Sequence, residues 1–413
     1  MTNSKTLVVI GGGAAGFFCA VNAARMSPSL KVIVLEKSNK LLSKVKVSGG
    51  GRCNVTHACF NIPGLVQKYP RGTNFIKKAF HSFYTADTVK WFEERGIKLK
   101  TEVDGRMFPV TDSSQTIIDC LMAEANRYGV EIRMNAEVKG MKHADSEFIL
   151  ELSGSRHLTC GFICVACGGY PKSSMFGWLT SLGHTVEQPV PSLFTFNMPG
   201  NPVTELMGVS VTKASVKITS SKLSDEGPLL VTHWGMSGPA ILKLSAWGAR
   251  ELAEKNYHFS LLVNWVPDYN EQTLRDSWPG IRNQSSPQKI CNRNPFNLPG
   301  RLWSYLLNES GVDNDTRWGE LIAGQQNRLI KNLTGQIFEV KGKTTFKEEF
   351  VTCGGIKLSE INAGTMESKL VPGLYFAGEV MDVDGITGGF NFQHAWTSGW
   401  IAATDIAEKA AEQ

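Results

Sequence analysis

Four residues near the start of the chain have the types and spacing to hold a dinucleotide. Gly11, Gly13 and Gly16 form G-x-G-x-x-G, and Glu36 stands twenty residues beyond the last of them. The first glycine permits a tight turn, the second lets backbone approach a pyrophosphate, and the third lets a helix pack against a strand. The helix that follows offers unpaired N–H groups and partial positive charge to the phosphates. An acid at position 36 accepts hydrogen bonds from the adenosine ribose and repels a 2′-phosphate. A glycine-rich turn in an unrelated α/β protein is the bland alternative. Context favours the dinucleotide, because Leu7–Ile10 reads as strand, Ala14–Met26 as helix and Lys31–Leu35 as strand.

No second motif stands in such a context, so one site chooses between FAD and NAD. Ser48–Asn54 (SGGGRCN) follows shortly after the second strand. Pro372–Glu379 (PGLYFAGE) places an acid just past another strand, where a ribityl chain would be held. Together they select FAD. Gly388 and Gly389 precede the closing helix, whose N-terminus would face the flavin edge that becomes negative on reduction. Between Lys37 and Arg52 lie five cations and no acid, near the expected pyrophosphate; a solvated basic face accounts for them equally well.

The chain resembles the family of FAD-binding oxidoreductases that includes aminoacetone oxidase and a bile-acid-type 3-oxo-steroid reductase, with an FAD domain related to fumarate reductase flavoproteins. The matching segments are Gly11–Gly16 (GGGAAG), Lys44–Asn54 (KVKVSGGGRCN), Gly105–Pro109 (GRMFP), Ala166–Gly169 (ACGG), Thr232–Pro239 (THWGMSGP), Cys353–Gly355 (CGG), Thr365–Lys369 (TMESK) and Gly373–Trp396 (GLYFAGEVMDVDGITGGFNFQHAW). They span nearly the whole chain. The resemblance implies FAD contacts at Ala15, Glu36, Lys37, Lys44, Gly51, Arg52, Cys53 and Asn54, with the Val138 backbone at the adenine. It implies further cofactor positions at Ala166 and Gly168, and places Gly378, Glu379, Gly389, Phe390 and Asn391 around the ribityl chain and isoalloxazine. It fixes no substrate, because members differ in what they oxidise or reduce. The chain departs from the commoner pattern at Leu42-Ser43, where a Gly-basic pair is usual, and at Cys167, where Thr is usual.

Sharper chemistry is readable at three more places. His233 could move protons as hydride passes to or from flavin N5, its ordinary pKa near 6.5 suiting that work; capping a turn is the structural alternative. Arg106 could clamp a carboxylate or carbonyl, or pair with a structural acid. Cys160, Cys164 and Cys167 mimic an iron–sulfur triplet and a redox C-x-x-C. Yet Phe162–Gly169 reads as a buried strand entering a glycine turn, where three thiolates do not converge, so no metal is expected. Cys53 sits among Lys44, Lys46 and Arg52, which would lower its pKa, but backbone positioning beside the flavin is the favoured role for it.

These residues need a scaffold, and the chain has length for two or three domains at 413 residues. The pattern predicts an α/β protein with a discontinuous Rossmann-like FAD/NAD(P)-binding domain, an inserted β-rich subdomain and a small helical subdomain. The expected boundaries are 1–191 with 342–413 for FAD binding, 192–269 with 336–341 for the β-rich substrate domain, and 270–335 for the helical insert. Helical spacing runs over 73–96 and 113–128, a small meander over 136–159, and a hairpin over 336–350. Apolar residues at 42% and charged residues at 20% describe a globular chain, and a net charge of +5 spread along it does not point to nucleic acid. Nine cysteines without framework spacing fit a reducing, cytoplasmic setting. Leu7–Ala24 has the outline of a signal peptide, but three consecutive glycines break it, and no window reaches the roughly 18 apolar residues of a membrane helix.

The expected function is therefore an FAD-dependent oxidoreductase. It would pass a hydride between flavin N5 and a small organic substrate, an amine, an amino-ketone or an enone, with NADH, NADPH or oxygen completing the cycle. A flavoprotein acting on RNA is disfavoured by the eight Lys/Arg against seven Asp/Glu over 268–335, and a disulfide reductase through Cys164 and Cys167 lacks a second nucleotide fold. No nucleic-acid or membrane partner is expected.

Overall fold

The computed structural model describes residues 5–144, 147–345 and 351–412. The chain divides into two compact units, Met1–Ser192 with Lys347–Gln413, and Leu193–Phe346.

The first unit is built on a five-stranded parallel sheet in the order Leu374–Phe376, Phe162–Val165, Thr6–Ile10, Lys31–Leu35, Glu131–Arg133. Its central strands are apolar at nearly every position because helices and loops bury both faces. Two helices, Ala14–Met26 and Phe390–Glu412, pack together closely. Glycine makes that approach achievable, since a Cβ at Gly399 would stand 2.8 Å from Ala15 O. Phe18 then gathers Trp91, Phe83 and Trp396 around it at centroid distances of 4.6, 5.6 and 5.2 Å.

The expected helix over 73–96 is two helices, Thr73–Phe80 and Thr85–Glu93, ended by Gly96 at φ +78. The helix behind Ser113 runs Ser114–Arg127, with the serine side chain capping Gln115 N. The meander is Val138–Ala144, Glu147–Leu152 and Arg156–Cys160. A second small sheet, Thr56–His57 with Arg106–Pro109 and Leu99–Thr101, sets the segment after the glycine-rich SGGGRCN run. Val186–Ser192 pairs antiparallel with Val351–Ile356.

The second unit carries a seven-stranded sheet in the order Gln336–Lys341, His258–Asn264, Ser210–Ile218, Ser224–Val231, Gly235–Ser237, Thr195–Asn197, Lys343–Thr344. The helices Glu271–Ser285, Gly300–Glu309 and Ala323–Gly335 share one apolar core with it, in which Trp265, Trp278, Trp303 and Trp318 are almost fully buried. Among the described residues 336–345, Gln336–Lys341 and Lys343–Thr344 do not pair with each other as the expected hairpin would have them. Gly342, at φ +104, bends a continuing strand so that its first part pairs with His258–Asn264 and its second with Thr195–Asn197. Gly342 N donates to Tyr257 O and its carbonyl accepts from Asn197 N, which hands the chain from one edge of the sheet to the other. Residues 346–350 of that expectation lie outside the described residues.

Candidate dinucleotide and flavin site

The first unit brings the glycine motif to the C-terminal ends of the parallel strands, where open α/β sheets bind ligands. Gly11 has φ +116, and a Cβ there would stand 2.4 Å from Ala166 O, so the turn passes directly over the neighbouring strand end. A Cβ at Gly16 would stand 2.0 Å from Gly11 O, which makes this glycine the contact between helix and turn. Gly13 differs from both. It precedes the helix in extended conformation, and a Cβ on it would meet nothing within 4 Å. The middle glycine therefore has open space on the side a phosphate needs, beside helix N–H groups that have no intrahelical partner. Gly50, Gly51 and Gly168 are likewise left-handed with open space where a Cβ would lie. Ala15 is buried in the first helical turn, and Ala166 N is tied to Ile10 O at 2.8 Å.

Glu36 leaves the second strand into this turn. Its carboxylate accepts from Gly12 N at 2.9 Å, from Ser38 N at 2.9 Å and from Ser38 Oγ at 2.8 Å. A cleft of about 230 Å³ opens beside it, lined among others by Gly11, Glu36, Lys37, Val138, Cys167, Tyr170, Met175 and Trp178. Glu36 at the strand end, backbone groups and apolar walls are the polar set and shape an adenosine half requires. The aromatic walls Tyr170 and Trp178 are not readable as a motif. Their signal is three aromatic residues, Tyr170, Phe176 and Trp178, spread over the nine residues after Ala166–Gly169; Lys37 Nζ lies 5.8 Å from the Tyr170 ring.

At the other end, Glu379 follows Gly378, which has φ +75 and donates its N–H to Ser398 Oγ at 2.9 Å. Glu379 Oε1 accepts from Thr352 N at 2.7 Å, and Oε2 pairs with Lys44 Nζ at 2.5 Å. Lys44 thus reaches across to the acid expected to hold the ribityl chain. His394 Nε2 donates to Gly378 O at 3.3 Å, and burial lowers this histidine to about 4, so it is neutral. Thr352 Oγ1 and His394 Nδ1 are buried without hydrogen-bond partners among the described residues.

The loop before the closing helix is locked to the Cys53–His57 segment. Asn54, with its amide oriented to satisfy both neighbours, donates to Thr56 O at 2.9 Å and accepts from Gly389 N at 3.0 Å. Thr56 Oγ1 donates to Gln393 Oε1 at 2.6 Å, and Trp396 Nε1 to Val55 O at 2.9 Å. Asn391 closes a ring of two hydrogen bonds with the Gly385 backbone, and Phe390 O accepts from Tyr69 at 2.7 Å. Below the loop, Asp384 is fully buried between Arg71 and Ser192 Oγ, the latter at 2.7 Å. These anchors were not foreseen, because the motif that contains Asp384 does not reveal its distant partner Arg71.

Several expectations change. Cys53 is fully buried at φ +61, and burial pushes its thiol up to about 12, opposite to the activation expected from Lys44, Lys46 and Arg52. Its side chain is enclosed by the core, and Lys44 is engaged by Glu379 instead. Arg52 pairs with Glu102 at 2.6 Å and stacks on Phe108 at 4.0 Å, whereas Arg106 is held by Asp104 at 2.7 Å and Glu102 at 3.1 Å. His233 lies in the second unit, exposed on the turn between Ser224–Val231 and Gly235–Ser237, with its ring 4.2 Å from that of Trp234. A hydrogen bond with Cys19 and burial push Cys164 far above the usual thiol range, and burial pushes Cys167 up to about 11. No metal-binding cluster of His, Cys, Asp or Glu occurs among the described residues. No helix there is long and apolar enough to cross a membrane.

The cleft beside Glu36, the open-sided glycines and the orphaned Thr352 hydroxyl fit FAD, whose pyrophosphate, ribose and ribityl hydroxyls are matched by these groups. Residues 5–405 match the family described as the HI0933-like protein Rossmann domain. The chain is 32% identical to a ribosomal RNA dihydrouridine synthase of Escherichia coli K12, over 97% of each chain. It is 30% identical to another from Haemophilus influenzae, over 99% of this chain and all of that one. A 3-dehydro-bile acid delta(4,6)-reductase of Clostridium scindens is 26% identical over 97% of this chain and 98% of its own. Among solved structures, a flavocytochrome c3 fumarate reductase shares the fold with TM-score 0.51 at 16% identity, covering 98% of this chain and 79% of that one. A 3-ketosteroid-delta4-(5alpha)-dehydrogenase of Rhodococcus jostii RHA1 does so with TM-score 0.52 at 12% identity, covering 97% and 96%. Relatives named for ribosomal RNA remove the ground for excluding nucleic acid as a partner. The chain belongs to the HI0933-like family of Rossmann-fold FAD proteins and is an FAD-dependent oxidoreductase.

Proposed function

We propose that this protein reduces uracil in ribosomal RNA to dihydrouracil, with NADPH or NADH as the electron source. The observation that carries the reading is the pair of full-length relatives, 32% and 30% identical, named ribosomal RNA dihydrouridine synthases. Reaction chemistry supports it. The C5=C6 bond of uracil is conjugated to the C4 carbonyl, as the double bonds of a 3-oxo steroid are conjugated to its ketone. Both names describe reduction of a carbon–carbon double bond conjugated to a carbonyl; for uracil, hydride goes to C6, β to the C4 carbonyl, and a proton to C5. Bound FAD, once reduced, supplies the hydride.

The residues of the chain supply binding and electrostatics. Gly11, Gly13 and the helix start at Ala14 hold the pyrophosphate, and Glu36 holds the ribose. Lys44 and Glu379 fix the ribityl region through each other and through Thr352. The N-terminus of Phe390–Glu412, brought close by Gly389, faces the edge that becomes negative. The near-balance of charge over 268–335 does not oppose RNA, since binding at a cleft depends on local potential and not on segment totals.

The test is anaerobic. The yellow protein is reduced with NADPH or NADH and mixed with unmodified ribosomal RNA transcribed in vitro. Flavin reoxidation is followed by absorbance, and dihydrouridine is sought by mass spectrometry of the digested RNA. Reoxidation with a gain of two hydrogens on uridine is expected. Reoxidation by a steroid 4-en-3-one, with none by RNA, overturns the reading.

A further inference from the structure

His57 stands where the flavin loop meets the small sheet. Its ring lies flat against Phe390, with centroids 4.7 Å apart and planes at 20°. Gly105 and Gly388 enclose it, since Cβ atoms there would approach the ring to 2.3 and 3.4 Å. The ring is therefore fixed in place. Its Nε2 lies 3.1 Å from Asp104 O, and a carbonyl only accepts, so Nε2 carries the proton. Burial disfavours a second proton, which leaves Nδ1 as a bare lone pair. That nitrogen is buried and has no hydrogen-bond partner among the described residues. Buried acceptors are nearly always satisfied, and this one belongs to the residue directly after Thr56, whose carbonyl oxygen would stand 2.6 Å from a Cβ at Gly389.

We infer that His57 Nδ1 is a ligand group that accepts a hydrogen bond from an imide N–H, the kind flanked by two ring carbonyls. The fixed tautomer repels acceptors and gives a cation no charge to pair with, so the ligand brings a neutral donor. The flat step formed by His57 and Phe390 suits a planar ring carrying that donor. Two molecules at this site have it, the pyrimidine ring of the isoalloxazine and the uracil ring of the RNA. The uracil source rests on the function proposed above; the flavin source does not.

The test uses the FAD-loaded enzyme and His57→Phe, which keeps a flat ring and removes the acceptor. If the flavin is the donor, the imide of the bound oxidised flavin ionises more readily in the variant, by about tenfold, and its alkaline spectral transition moves down by about one pH unit. If uracil is the donor, that transition stays and KM for ribosomal RNA rises about tenfold. A variant that holds full FAD with neither change overturns the inference. Should the wild type form no dihydrouridine, the proposed function fails while the flavin titration still decides the flavin source. Should the variant fail to fold by circular dichroism, nitrogen NMR of histidine-labelled wild-type holoenzyme replaces it. A His57 Nδ1 resonance at the position of an unbonded nitrogen, both with and without RNA, overturns the inference.

Discussion

Gly389→Ala tests whether the closing helix tunes the flavin. Gly389 has φ +94, and a Cβ there would stand 2.6 Å from Thr56 O, 2.7 Å from Thr56 C and 2.9 Å from Asn54 Oδ1. Ordinary contact begins near 3.4 Å, so relief requires a displacement of about 0.8 Å between the loop and the Thr56 backbone. Neither side moves freely. Gly389 N is held by Asn54, its carbonyl accepts from Gln393 N at 2.9 Å, and Thr56 is tied to Gln393. The left-handed conformation adds roughly 1–2 kcal/mol for any side chain. A displaced N-terminus weakens the stabilisation of the reduced flavin. The charge–dipole interaction is worth about 1–2 kcal/mol when partly buried, and 1.4 kcal/mol is about 30 mV for a two-electron couple. The midpoint potential of Gly389→Ala is therefore expected to fall, with roughly 20–40 mV, the whole of the interaction, as the ceiling, or the flavin to be lost. Anaerobic dye equilibration of wild type and variant measures it. Full FAD occupancy at an unchanged potential would refute the claim that this helix end faces the isoalloxazine.

Three other outcomes are expected. Glu36→Gln and Glu379→Gln each weaken FAD binding by roughly 1–3 kcal/mol, because an amide presents a donor where Gly12 N or Lys44 needs an acceptor; flavin retention equal to wild type on ultrafiltration would count against both roles. Cys164→Ser with Cys167→Ser keeps a flavin reducible by the normal nicotinamide, at a stability cost of about 1–3 kcal/mol for the buried hydroxyl; loss of reduction in a folded variant would restore the thiols to the mechanism. His394 titrates at an ordinary 6.5 when unfolded and at about 4 in place. The unfolded chain therefore binds more protons between those values, so the contribution is full above pH 6.5 and is lost as pH falls towards 4. It removes about 2 kcal/mol between pH 7 and pH 5, and His394→Phe is expected to lose that part of the dependence in urea titrations at the two pH values.

The parallel strands were legible because burial on both faces writes them as unbroken apolar runs, Leu7–Ile10 and Lys31–Leu35 among them. Interior strands of only three residues, such as Thr195–Asn197 and Gly235–Ser237, exist through the partners on both sides and carry no periodicity of their own. Lys341-Gly342-Lys343 looks like a hairpin turn, yet the same positive φ serves to bend one strand between two partners. The lowered thiol pKa expected at Cys53 is overturned for a related reason: sequence proximity to cations does not place them at the sulfur, and burial dominates there while Lys44 pairs with Glu379 and Arg52 with Glu102. His57 adjoins a strong motif, but its unsatisfied nitrogen depends on Asp104, Gly105 and Gly388, which only the fold assembles.

The spacing between the glycine motif and Glu36 has a second physical cause. The distance is usually read as what places an acid at the ribose. Here the carboxylate also accepts from Gly12 N, inside the glycine turn itself, and from Ser38 at two atoms. A carboxylate has about four acceptor positions, so roughly one remains for a ribose hydroxyl. Glu36 is therefore both a ligand and the latch that holds the turn at the end of the neighbouring strand. The two roles separate by experiment, because a latch is needed without FAD and a ligand is not. If Glu36→Gln lowers the stability of the flavin-stripped protein as well as its affinity for FAD, the acid shapes the turn before the cofactor arrives. A variant as stable as wild type when stripped, yet weak in FAD binding, would leave the ribose contact as its whole contribution.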